Sequence, residues 1–164
     1  MLRRFFARLW DSFREYLYPD HQRDLLEILC QEYIEKSENV LKLTNYAATM
    51  VYPQFRDKLL RIANEEQDYI PRLADHITAL GGKVPDASFS PRPGKNAWER
   101  LLNALEKKQR QGSDRIDRLV RLERIDPKIG EELRRMLQQE EIHQREIQAM
   151  MMRSDPQAAL NSVS

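Results

Sequence analysis

Two stretches of this chain, 59–77 and 133–151, carry the same apolar pattern at helical spacing, and each has a glutamate at its centre. At about 100° per residue, one face of the first reads Leu59, Ile62, Ala63, Glu66, Tyr69, Ile70, Leu73 and Ile77. The second reads Leu133, Met136, Leu137, Glu140, His143, Gln144, Ile147 and Met151. The two align position for position, Glu66 with Glu140 and Tyr69 with His143. A carboxylate buried without a partner is costly in free energy or stays protonated. Two in one core need company: a metal ion, a buried cation, or a proton shared with Tyr69 or His143. The pattern predicts an all-α fold whose helices turn these glutamates inward.

The rest of the chain supplies more helices. Apolar residues at i, i+3, i+4 spacing predict a short amphipathic helix over 2–18, with Leu2, Phe5, Phe6, Leu9, Trp10, Phe13, Tyr16 and Leu17 on one face. Arg3, Arg4, Arg8 and Arg14 occupy much of the remainder. Four longer helices follow, over about 21–51, 53–80, 96–124 and 127–153. Pro53 and Pro127 suit first helical turns, and Gly81-Gly82 is a C-terminal stop. Pro71 should kink the second long helix, because the apolar period continues on both sides of it. The predicted organisation is an N-terminal amphipathic helix (1–19), a helical bundle (20–153) and a polar tail (154–164).

Connections set the expected topology. The first and second long helices are joined by a few residues, as are the third and fourth, so each pair should form an antiparallel hairpin. The 82–95 stretch between the pairs contains Pro85, Pro91, Pro93 and Gly94 and reads as extended. About 14 residues span up to roughly 46 Å, and a helix of about 29 residues is roughly 43 Å long. The linker can therefore cross the whole bundle and let the third long helix run parallel to the second. The alternative is an up-down-up-down bundle with a loose loop.

Composition narrows the function classes. The net charge is +1 over 164 residues, which gives no electrostatic case for a nucleic-acid partner. Cys30 is the single cysteine, so no internal disulfide forms and a reducing, cytoplasmic setting is expected. No apolar run approaches a membrane span.

The first and third long helices should face the glutamates. Reflection through the short turns places Ser37 opposite Glu66 and Gly112 opposite Glu140, leaving room for an ion, water or small ligand. Glu38 lies off the inward stripe and Glu35 on the other side. Lys108 points inward about one turn from Gly112 and is a candidate partner for either glutamate.

The chain here resembles the ferritin-like superfamily of ferritins, bacterioferritins and rubrerythrins. The family's second helix carries Glu-x-x-His and ends in Leu-Gly-Gly followed by Pro. This chain has Glu66-Gln67-Asp68-Tyr69, then Leu80-Gly81-Gly82 and Pro85. The fourth helix repeats the element intact as Glu140-Glu141-Ile142-His143, and residues at i, i+3 can reach one ion. Tyr69 replaces the family's histidine. The carboxylates that the family draws from its first and third helices are missing from the central positions. The resemblance implies an antiparallel four-helix bundle with a long crossover. It also implies iron or another divalent metal at Glu66, Glu140 and His143, with Glu38 and Tyr69 as weaker contributors, and a homo-oligomer. Iron handling or oxygen-dependent redox chemistry would follow. The other reading is a metal-free bundle, with Lys108 replacing the ions, that acts through partner binding. The 2–18 helix would then dock on the bundle, on a second subunit, or on a membrane surface.

Overall fold

The computed structural model describes residues 19–88, 94–110 and 112–154, with side chains for all of these except 19–20, 106–110 and 112–113. The helix expected over 2–18, the tail from 155, and the side chains of Lys108, Gln109 and Gly112 lie outside the described residues. What is described is all-helical: α1 (Pro19–Ala48), α2 (Pro53–Gln67), α3 (Ile70–Ala79), α4 (Ala97–Arg110), α5 (Gly112–Ile125) and α6 (Pro127–Arg153).

Local chemistry explains the ends. Asp126 caps α6 by accepting from the Lys128 and Ile129 amides at 3.0 and 3.1 Å, and Pro127 fills the first turn, where its missing N–H costs nothing. Asn96 caps α4 through the Glu99 amide at 2.7 Å, and Glu99 reaches back to accept from the Lys95 amide at 2.8 Å. At the end of α3, Gly81 takes φ +76°, and the Gly82 amide donates to the Ile77 carbonyl at 2.9 Å.

The 53–80 segment does more than kink. Pro71 has no N–H to offer the Gln67 carbonyl, and the helix divides at Asp68 and Tyr69 into α2 and α3. The Tyr69 amide donates to the Glu66 carbonyl at 3.3 Å, and the Leu73 amide donates to the Tyr69 carbonyl at 3.1 Å.

The buried apolar side chains form two groups. One joins Leu43, Tyr46, Phe55, Leu59, Ile62, Leu101, Leu105, Ile147 and Met150. The other joins Leu25, Leu29, Leu73, Ile77, Leu122, Ile129, Leu133 and Met136. Between the groups the buried residues are polar: Glu32, Lys36, Ser37 and Asn39 on α1, Glu66 at the end of α2, Arg115 on α5, and Glu140 and His143 on α6. A polar layer therefore separates two apolar halves.

The inward face of α1 is turned about one residue from the expectation that Ser37 stands at its centre. Leu25, Leu29, Glu32, Lys36, Leu43 and Tyr46 are buried, whereas Thr44, Ala48 and Val51 are exposed. Ser37 is buried too, its hydroxyl without a hydrogen-bond partner among the described residues. Among the described residues no helix is long and apolar enough to cross a membrane.

Candidate functional site

The polar layer centres on Lys36, whose side chain is 1% exposed. Its Nζ donates to Glu66 Oε2 at 2.6 Å and also to Glu140 Oε1. An ammonium carries three protons and no lone pair, so one group can serve carboxylates from two different helices. The Tyr69 ring covers the ammonium, its centroid 5.4 Å away, and the Arg72 guanidinium lies 5.6 Å from the same ring. The break at Pro71 sits beside these contacts. Tyr69, the residue after the break begins, becomes a lid between solvent-facing Arg72 and buried Lys36.

Arg115 extends the layer on the α5 side. Its guanidinium grips both oxygens of Glu140, Nη1 on Oε2 and Nη2 on Oε1 at 3.1 Å. Nη2 also donates to Glu32 Oε2 at 2.6 Å. Arg118 bridges Glu32 and Glu35, each at 3.0 Å. The rigid fork of arginine makes these paired contacts possible.

On the opposite side, His143 stands between two carboxylates. Its Nδ1 lies 2.7 Å from Glu66 Oε1, and its Nε2 lies 2.8 Å from Glu65 Oε2. A ring can donate to both only when doubly protonated. Glu32, Glu35, Glu66 and Glu140 thus meet Lys36, Arg115, Arg118 and the His143 ring. Glu65 is 36% exposed and also accepts from Arg61 at 2.6 Å, so it links the layer to the surface.

The electrostatics follow. Burial by itself pulls the Lys36 ammonium down, but the attraction and hydrogen bonds of Glu140 and Glu66 outweigh it, and the net shift is upward. Arg115 is likewise raised, against its burial, by Glu140 and Glu32. The hydrogen bond with His143, and then that with Arg61, hold the Glu65 carboxyl below its ordinary range.

Whether this layer fits a metal ion is decided by its donors. Glu66 Oε1 faces His143 and Oε2 takes Lys36; Glu140 Oε1 takes Lys36 and Arg115, and Oε2 takes Arg115. Each of the four oxygens lies within hydrogen-bond distance of a protein nitrogen. Among the described residues, no group of three or more His, Cys, Asp or Glu side chains is placed to hold an ion. As arranged, the donor set does not fit a metal centre.

Of the residues singled out from sequence, Glu66, Glu140, His143 and Tyr69 come together here. Glu38 does not share the direction of Lys36: two residues on, it lies about 200° round α1. Lys36 stands between the two glutamates as a partner of both, and the side chain of Lys108, the candidate from sequence, lies outside the described residues. Sequence reasoning missed Lys36, Glu32, Glu35, Glu65, Arg115 and Arg118. The available signal was the spacing of Leu25, Leu29, Glu32, Lys36 and Leu43 on one face.

No protein-family model, curated protein or solved structure matches this chain.

Proposed function

We propose that this chain is a ferritin-like four-helix bundle whose ion pairs stand where metal ions would sit, and that it works as a non-catalytic scaffold that binds partners. The observation that carries this reading is the engagement of all four Glu66 and Glu140 oxygens by Lys36, Arg115 and His143.

The order of cross-helix contacts supports the ferritin-like topology. Gln22 reaches Leu80 and Lys36 reaches Glu66, so α1 runs opposite to α2 and α3. Asp24 pairs with Arg121 and Glu32 with Arg115, so α1 also runs opposite to α5. Arg115 pairs with Glu140 and Arg134 with Glu123, making α5 opposite to α6. Arg61 pairs with Glu146, His143 with Glu66, and His76 with Glu132, making α6 opposite to α2 and α3. On this reading α5 is parallel to α2 and α3, which requires a chain crossover between them. The 82–95 linker is long enough to make it. Crossover topology of this kind distinguishes ferritin-like bundles from up-down bundles.

Partner binding is supported by Ile116 and Val120, 60% and 43% exposed one turn apart on α5, and by the aromatic stripe in 2–17. A second copy of the chain or a membrane surface would be the partner class. The other reading, an iron-handling or redox centre at Glu66, Glu140 and His143, has in its favour the convergence of those three residues.

Metal analysis separates the two. Protein purified without chelator should carry less than about a tenth of an equivalent of Fe, Mn or Zn, and EDTA should leave its thermal midpoint unchanged. Stoichiometric metal whose removal lowers that midpoint would reverse the conclusion.

A further inference from the structure

Lys36 Nζ is bonded to Glu66 and Glu140 at once, one carboxylate oxygen from each of two helices. Two carboxylates converging on one point from separate helices form the protein part of a site for a hard cation, which completes its shell with water. We propose that Lys36 is a resident counter-ion: its ammonium fills a latent divalent-cation site between Glu66 and Glu140 and keeps such ions out. This rests on the reading of the layer as metal-independent.

Three features make the exclusion effective. The lysine stem fills the volume where water ligands would have to stand, since Lys36 is among the largest fully buried side chains. The Tyr69 ring lies over the ammonium, its centroid 5.4 Å away, and covers it on that side. A divalent ion added to Lys36 and Arg115 would place three cationic groups around two carboxylates, and like charges a few ångströms apart in a buried site repel strongly. Loss of the lysine side chain removes the stem and its ammonium and frees Glu66 Oε2, leaving Arg115 as the cation on Glu140 and His143 beside Glu66 Oε1.

The test uses Mn2+, whose free-ion resonance signal disappears on binding. The full-length wild type should leave that signal unchanged. Lys36→Ala should take up about one equivalent, and its thermal midpoint should rise with added Mn2+. Adding Glu66→Gln to Lys36→Ala should abolish both effects. A folded Lys36→Ala that ignores Mn2+ overturns the proposal, as does uptake that survives Glu66→Gln. If Lys36→Ala does not fold alone, it and Lys36→Glu are refolded with Mn2+. Recovery of helical circular dichroism that Glu66→Gln abolishes supports the assignment; no recovery in either variant overturns it. Uptake by the wild type, in contrast, would defeat the metal-independent reading itself.

Discussion

Lys36 on α1 and Glu66 on α2, thirty residues apart in sequence, meet at 2.6 Å with both side chains 1% exposed. A pair this dry gains nothing from water, so each partner depends on the other for its charge to be tolerated. Glu140 depends on the same ammonium and on Arg115. The energetic weight of the layer therefore lies less in any one contact than in what is stranded when a member is removed.

Lys36→Met keeps the length of the side chain and deletes its charge. It leaves Glu66 and Glu140 short of a buried cation and should cost about 3–5 kcal/mol. Urea denaturation measures this directly. Glu66→Gln combined with Lys36→Met should cost less than the sum of the two single changes, because the carboxylate stranded by one is removed by the other. Strict additivity would show that the pair is not coupled.

Arg115→Lys conserves charge but loses the fork. A single ammonium cannot hold both oxygens of Glu140 and also reach Glu32. The loss should be about 1.5–3 kcal/mol, the worth of one or more hydrogen bonds to a charged group. A lysine variant as stable as the wild type would mean that charge alone matters at this position.

The pH dependence runs in two directions. Glu65 is held below its ordinary value of 4.5, first by His143 and then by Arg61. Its contribution is therefore complete above pH 4.5 and fades as the pH falls through the folded value. The stability gap between wild type and Glu65→Gln should close on acidification. Lys36 is raised above 10.5, so its contribution is complete below that pH and is lost only as the pH climbs through the higher folded value. Denaturation midpoints of wild type and Lys36→Met should converge in strong alkali and nowhere near neutrality.

Gly130→Ala opposes two effects. Alanine is the better helix former by about 1 kcal/mol. A Cβ at Gly130, however, would lie 2.8 Å from Glu123 Cα, a backbone atom of α5 that cannot swing away. Overpacking of this kind costs about 1–3 kcal/mol, so the substitution should be net destabilising. A raised thermal midpoint would show that α5 and α6 can separate without penalty.

Most helix ends were legible in the sequence, because Asp126-Pro127, Asn96 with Glu99, and Gly81-Gly82 announce themselves through local chemistry. Glu66, Glu140 and His143 were legible because each interrupts an otherwise apolar stripe. Lys36, Glu32 and Arg115 were not. Hydropathy assigns a charged residue to solvent, and in the middle of α1 the charged Glu32 and Lys36 are buried. Discarding them turned the stripe by one position and put Ser37 where Lys36 belongs. Pro71 signalled a disturbance, but whether the helix bends or divides depends on what the freed carbonyl and Tyr69 find nearby.

The separation of the apolar core into two halves has one more consequence. Hydrophobic side chains are interchangeable partners, and helices joined by them alone can slide by a turn with little change in energy. The polar layer allows no such slip. Moving α6 by one turn past α2 would set Glu140 against Ile62 or Ile70 and bring Met136 or Gln144 to Lys36 in its place. The ion pairs thus act as a vernier that fixes the axial alignment of the helices, while the residues above and below remain free to vary in shape.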